Sequence, residues 1–581
     1  MKALLPLLCL PAAICAAWTV VAGKDLNWDL LNYHYYVPFQ LLEGRLQQDF
    51  FAASAQSYLN PIGYLPFYLM VSSGWHSVVV SAALAVAHSL SIALLYAIAW
   101  HLFAHLPRRD RVVMSCLAAA LGAATAVFWA TVGTSFLDPL LVPPMLAGLL
   151  LLLYRKQPLV AGLLFGLAAA LKYSNAIFAL AALPLAFLSG RRAVAAYVAG
   201  GALAVAVLAG PWLALMTREF GDPLFPGLSA GSGRFGPQDL VSALTFPFRM
   251  VVLDRSLYTE TFAPDLRFAA CALLAVALPV FRKNVADWRL LAFFALAYVA
   301  WLATSANARY GMLLLLLAGV CLAYLAERLL PLRLARIGLG VLLALQLVTS
   351  IVAAPPRWFI AEPWSKQWFP YDVPQRALRE PALYLTLETL PMAVIAPFVH
   401  PDSSFVNLRG QRTLAPDSPR LAALAERHRG RVRVLGRALE HLDAGTLSWI
   451  GYRLDPADCF TIAWRRAGRH AHDGDALSRA ANWISRTPPS SEPLSVTSCA
   501  LQPAPRDPAR TERERRASAL FDRIERACPR LFRGQTAVTE PFGSGWARHY
   551  VDLDARLETI GDQVVLNRYR AGEIVDLAHC R

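Results

Sequence analysis

The segment Lys24-Asp25-Leu26-Asn27-Trp28-Asp29-Leu30-Leu31-Asn32-Tyr33-His34-Tyr35-Tyr36 places two carboxylates and an imidazole among Trp and Tyr rings, directly after an apolar run. A carboxylate at the edge of a membrane helix is partly desolvated. It either pairs with a cation or does acid/base work. Aromatic faces stack on the C–H surfaces of sugars, while oxygen acceptors take their hydroxyl protons. Asp25 and Asp29 are therefore the acid/base candidates. Asn32, Tyr33 and His34, with Tyr58 and Asn60 further along the same loop, are candidate substrate contacts. An interfacial aromatic belt accounts equally well for the rings, but not for the two aspartates.

Three further places carry isolated charge. Lys172, in Lys172-Tyr173-Ser174, interrupts the apolar stretch 158–189. Either it snorkels to the interface or it meets an anion. Arg309 and Tyr310 lie in the short turn Ser305-Ala306-Asn307-Ala308-Arg309-Tyr310. A guanidinium there can grasp a phosphate bidentately or contact a lipid headgroup. Asp138, in Ser135-Phe136-Leu137-Asp138-Pro139, reads first as a helix cap ahead of Pro139 and second as a substrate contact. No Gly-rich phosphate loop opens a helix after a strand, and no His-Glu-x-x-His pair occurs. No motif demands a cofactor, and a divalent metal is an optional helper for a bound phosphate.

The elements that must position these groups are membrane helices. The chain has 581 residues, of which 56% are hydrophobic and 16% charged, against roughly 25% charged in soluble domains. A wholly soluble enzyme, a disordered chain and a small disulfide scaffold are excluded. Spans of about 20 apolar residues are expected near 3–23, 78–104, 112–130, 137–154, 193–215, 266–282, 288–304, 311–330 and 335–354. Residues 158–189 read as two short helices meeting at Lys172, which makes about eleven crossings. Arg108-Arg109, Arg155-Lys156, Arg191-Arg192, Arg333 and Arg336 fall in alternate loops, marking the cytoplasmic side and placing the N-terminus there. The acidic loops 24–77 and 216–265 then face outward. Residues 1–23 read as a retained anchor.

The fold class expected is mainly α, a polytopic transmembrane bundle over 1–354. A linker at 355–369 follows, then a soluble mixed α/β extracytoplasmic domain at 370–581. Strands are expected over 384–388, 394–398 and 563–569, and helices over 421–428, 476–486 and 511–526. The net charge of +15 does not point to nucleic acid: residues 355–581 carry 32 Lys/Arg interleaved with 26 Asp/Glu, and the remaining excess lies in loops between spans. Cys459, Cys499, Cys528 and Cys580 all lie beyond the spans. In an oxidising compartment they allow three pairings, of which 459 with 499 and 528 with 580 has the smallest total separation in sequence.

The order of these features resembles the integral-membrane glycosyltransferases of the C superfamily, in particular families 39 and 87. Asp29-Leu30-Leu31-Asn32-Tyr33 is similar to the family-87-like Asp-Leu-x-x-Tyr stretch. Ala168-Ala169-Ala170-Leu171-Lys172-Tyr173 resembles their Thr-Lys-Tyr segment, with Leu171 in place of Thr. Gly221-Asp222-Pro223-Leu224-Phe225-Pro226 looks like their Gly-Asn-Pro-Leu-Phe-Pro loop, and Ala308-Arg309-Tyr310 like their late Arg-Tyr. The resemblance covers 1–354. The Asp-Glu pair of the protein O-mannosyltransferases is missing, which speaks against a protein acceptor.

The resemblance implies a polyprenyl-phosphate-linked sugar donor, an acceptor hydroxyl on a lipid, glycan or other molecule, and inverting transfer at the outer face of a bacterial inner membrane. Asp29 would be the base, and Asp25 would orient the acceptor or substitute for it. Lys172, Arg309 and Tyr310 would hold the leaving phosphate. A lipid-linked saccharide flippase or a non-catalytic envelope assembly protein are the alternatives.

Overall fold

The computed structural model describes residues 4–227, 235–237, 239–255, 257–280, 287–410, 413–437, 439, 442, 444–465, 475–491, 493–532, 537–550, 553, 555–560, 563–568, 573–577 and 580. The terminal positions of two expected spans (residue 3 and residues 281–282) and position 569 lie outside them. Among the described residues, five helices are long and apolar enough to cross a bilayer: Ser77–Leu102, Leu137–Arg155, Arg191–Leu208, Met312–Leu329 and Leu332–Ala353. Five other expected crossings are shorter apolar helices, including Pro158–Leu171 and Tyr173–Phe187, which meet at the polar break. The remaining expected span, 112–130, is split into Arg108–Ala123 and Ala126–Thr131.

Small residues let these helices approach closely, as packing in lipid requires. A Cβ on Gly162 would lie 2.0 Å from the Tyr197 carbonyl oxygen, and one on Gly200 would lie 2.2 Å from that of Leu159. These contacts join helices Pro158–Leu171 and Arg191–Leu208. Gly319 meets the Gly122 backbone in the same way. Met312–Leu329 runs through the centre, buried from Met312 to Ala326.

Beyond the helices, a six-stranded sheet has the order Tyr371–Asp372, Tyr452–Trp464, Val496–Pro503, Val432–Gly436, Leu383–Thr386, Ser404–Asn407, the last three parallel. A five-stranded antiparallel meander runs from Glu540–Phe542 to Glu573–Asp576. Cys459 pairs with Cys499 across adjacent strands, and Cys528 with Cys580. The strand expected over 394–398 is instead a 3-10 helix, Ala393–Phe398. Met392 turns left-handed before it, and Pro397 lacks the N–H that a ladder needs.

The segment 355–369 is not a free linker. Ala361–Glu362 pairs antiparallel with Lys24–Asp25, and Trp358, Trp364 and Trp368 are fully buried. Arg357 donates to the carbonyls of Thr19, Gly23 and Val132 at 2.6–3.0 Å, satisfying the open C-terminal end of the first helix, Leu4–Ala22. The first loop is joined to the sheets as well. Arg45 binds Asp49 at 2.9 Å and the carbonyls of Pro401 and Ser403, and Asp49 accepts the Phe405 amide at 2.9 Å.

Candidate active site

Asp29 stands at the N-terminus of a single wide turn, Leu30–His34. Asn27 sets that turn: its side-chain oxygen accepts the Leu30 amide at 2.8 Å, while its amide donates to Asp25 at 2.6 Å. Arg309 sits on a tight connection between helices Arg289–Thr304 and Met312–Leu329. There Ala306 takes a left-handed φ of 44°. The Asn307 side chain accepts the Arg309 amide, and Trp301 donates to the Asn307 carbonyl. Such a rigid turn fixes where the guanidinium can reach.

It reaches Asp29. Arg309 Nη1 lies 2.7 Å from Asp29 Oδ2, and Nη2 lies 3.7 Å from Glu260 Oε2. The guanidinium is stacked between Phe136 and Trp358, and Trp358 donates to Glu260 at 3.1 Å. Burial disfavours its charge, but Asp29, Glu260 and Asp138 outweigh that and hold its pKa well above the usual value. A second ion pair lies alongside. Lys172 Nζ is 2.6 Å from Asp138 Oδ1 and 4.3 Å from the centre of the Tyr310 ring. Asp138 Oδ2 and Arg309 Nε, both buried, have no hydrogen-bond partner among the described residues.

His34 forms the floor. It is stacked on Tyr64 at 4.6 Å, edge-on to Tyr33 and Phe136, and its Nδ1 is 2.7 Å from the Ser135 hydroxyl. Burial, then the charges of Arg309 and Lys172, push its pKa well down, so the imidazole is neutral. Burial raises the Tyr310 phenol to about 12.

The structure thus gathers Asp29, Tyr33, His34, Asp138, Lys172, Arg309 and Tyr310, from the first loop, two helix ends and the late turn. Asp138 is not the cap expected. Phe136 is the N-cap residue, and the Asp138 carboxylate turns to Lys172. Asp25 is fully buried, one oxygen on Asn27 and the other without a partner among the described residues. Burial raises it to about 6, opposed by Arg357 and Asn27.

Asn32, also fully buried, donates weakly to the Ala53 carbonyl at 3.5 Å. Tyr58 packs against Phe51, Phe220 and Phe225 rather than on the cluster. The Asn60 amide is spent on the carbonyls of Ala170 and Leu208, at 3.1 and 3.0 Å. It pins the helix end that presents Lys172 and is a positioning residue. The sequence reading missed Glu260, one acid among several in a long loop, and Trp358, assigned to a linker. The density of Trp over 358–368 was the available sign that this segment is packed.

Residues 58–305 match the model of glycosyltransferase family 87, which bears out the resemblance to that family over this stretch and supports a transferase. The crystal structure of ArnT from Cupriavidus metallidurans bound to undecaprenyl phosphate aligns with 76% of this chain and 94% of that chain, at 12% identity and a TM-score of 0.43. No curated protein matches the chain.

Proposed function

We propose that the protein transfers a sugar from a polyprenyl-phosphate donor to an acceptor hydroxyl, at the outer face of a bacterial inner membrane, with inversion. The observation that carries this reading is the pair of ion pairs around Arg309 and Lys172. Two carboxylates and two cations from distant parts of the chain meet at one bundle end, with donor and acceptor capacity left over.

The donor phosphate, arriving beside Lys172 and Arg309, offers the guanidinium a second anion and draws it from Asp29. The freed Asp29 oxygen accepts the acceptor's hydroxyl proton as that hydroxyl oxygen attacks the anomeric carbon. The bond from anomeric carbon to phosphate oxygen breaks, and its electron pair leaves with the polyprenyl phosphate. Lys172 and Arg309 stabilise the negative charge that develops there, while Tyr310 orients Lys172. Asp138 holds Lys172 in place until the phosphate arrives. Asp138, with one carboxylate oxygen unpartnered among the described residues, would be the residue to hold a divalent ion, which would add positive charge beside the departing phosphate. Asp25, buried beneath the strap 355–369, supports the turn that carries Asp29.

Native mass spectrometry of the protein purified from its own membrane tests the reading. A bound polyprenyl phosphate or its sugar adduct is expected, and it is lost in Lys172→Ala and Arg309→Ala. Phospholipid alone, unchanged by either substitution, would sink it. Turnover with Asp29→Asn separates transfer from mere lipid carriage.

A further inference from the structure

The strap that roofs the ion pairs has a second face. Trp358 points to Arg309 and Glu260, but Pro356, Phe359 and Ile360 line a cavity of about 840 Å³ on the other side. Trp28, one residue before Asp29, and Leu31, two residues after it, line the same cavity. The proposed base, paired with Arg309, is thus flanked in sequence by two residues of the cavity lining. The cavity is of ligand size.

Its chemistry is divided. Val21 and Ala22, at the end of the first membrane helix, form one side with Leu31 and Phe359. The turn 485–491, rich in Ser and Thr, completes the lining and packs through Thr487 on Gly23, at the end of the same helix. The charged residues on the lining are Arg437 and Arg486. Arg437 also lies 3.5 Å from Glu388. An apolar lining continuous with a membrane helix, joined by hydroxyls and guanidinium groups, fits an amphiphile with an anionic head.

The surroundings supply the route. Helix Ala476–Ser485 leads into the turn. It is clamped to the bundle end by His76 with Asp475 at 2.9 Å, and by Asn482, which bonds both the amide and the carbonyl of Trp364. Its outward face leaves Leu477, Trp483 and Ile484 exposed, Trp483 by 77%. Positions 477 and 484, seven apart, share one side of the helix. An apolar face with Trp at a helix-bundle end lies in the membrane interface. The adjoining first helix exposes Ile14 and Val21. Together they border the cavity with lipid-facing surface.

We infer that this cavity binds the acceptor, and that the acceptor is an anionic lipid. Its headgroup is held by Arg437 and Arg486, and its chain lies against the first helix and the exposed face of Ala476–Ser485. The acceptor role rests on the transferase reading; the lipid site does not.

The test uses the full chain in neutral detergent and dodecyl phosphate with a photoreactive group in its chain, mapped by peptide mass spectrometry. Labelling is expected on 485–491 or on the segment around Phe359. Unlabelled dodecyl phosphate should compete for it, and inorganic phosphate at equal concentration should not. In Arg437→Gln/Arg486→Gln it should fall at least fivefold, and the Lys pair at both positions should restore it, with the melting temperature of each variant recorded as a control for folding.

Equal competition by inorganic phosphate would make this a free-anion site and overturn the proposal, as would labelling untouched by the Gln pair. If undecaprenyl phosphate displaces the probe and Lys172→Ala abolishes both, the cavity belongs to the donor and the inference fails. Undecaprenyl phosphate binding indifferent to Lys172→Ala would instead remove the transferase reading, leaving the lipid site standing on its own labelling.

Discussion

Arg267 and Arg309 are both buried and both meet aspartates, and they differ in what is left over. Arg267, at the start of helix Leu266–Val280, is fully enclosed. It donates twice to Asp265, at 2.9 and 2.5 Å, and through Nη1 to the carbonyls of Leu121 and Gly122, at the open end of helix Arg108–Ala123. That arrangement is saturated and joins two helices. Around Arg309 the accounting is incomplete: Nε and the nearby Asp138 Oδ2 lack partners among the described residues, and aromatic faces fill the rest of the shell. A saturated pair is a fastener. An unsaturated one, at a helix break and close to a cavity, has capacity to exchange partners. The same side-chain types thus serve architecture in one place and chemistry in another, and substitutions should separate the two.

The largest effect is expected at Asp29. Asp29→Asn keeps the shape and a hydrogen bond to Arg309 but removes the proton acceptor. Turnover should fall roughly 10⁴-fold, about 5 kcal/mol of barrier, with donor binding and melting temperature unchanged. Retained turnover would place the base elsewhere.

Arg267→Ala should do the reverse. It leaves the Asp265 carboxylate buried without its cation and the ends of two helices unjoined, a loss of about 4 kcal/mol. Thermal unfolding in detergent would show it, and any protein that still folds should transfer sugar at a normal rate. A selective loss of turnover at unchanged stability would erase the distinction between the two arginines.

A smaller effect sharpens the geometry. Gly162→Leu must push apart helices Pro158–Leu171 and Arg191–Leu208, where the Tyr197 carbonyl stands 2.0 Å from the new Cβ. Overpacking of this kind costs about 3 kcal/mol. Because Lys172 sits just beyond the end of the first of these helices, the KM for donor should rise as well. A stability loss with donor KM unchanged would show that Asn60, not this crossing, sets the position of Lys172.

Much of this was legible in the chain. The polar break at Lys172 stood out because a charge in an apolar run is costly, and the structure turns there, from Leu171 to Tyr173. Asp29 and Arg309 stood out because each is a charge at a span end. Their pairing did not, since 280 residues separate them and only the packed bundle sets that distance. The role of Asp138 was misjudged for a local reason: an Asp before Pro resembles a cap, and its real partner lies on another helix. Tyr58 and Asn60 share a loop with the site, yet their partners are an aromatic cluster and two helix ends. Loop membership carries no direction, and side-chain direction is what separates contact from support.

Asp25 gives the smallest and most discriminating test of the contrast between support and chemistry. Burial raises its carboxyl to about 6, while the same group in an unfolded chain titrates near 3.8. Between those values the folded state holds the extra proton, so stability falls as pH rises from about 4 to about 6 and then stays low. Lys24, lowered to about 7 by burial against the help of Glu362, acts in a different window. Its cost is present below about 7 and is relieved as pH climbs from there toward 10.5. Asp25→Asn removes the first effect only. The variant should match the wild type near pH 4 and exceed it above pH 6 by about 3 kcal/mol, read as a higher melting temperature, and it should still transfer sugar. If instead Asp25→Asn loses turnover while its melting temperature is unchanged across that range, the proton acceptor is Asp25, and the pairing of Asp29 with Arg309 is the fastener.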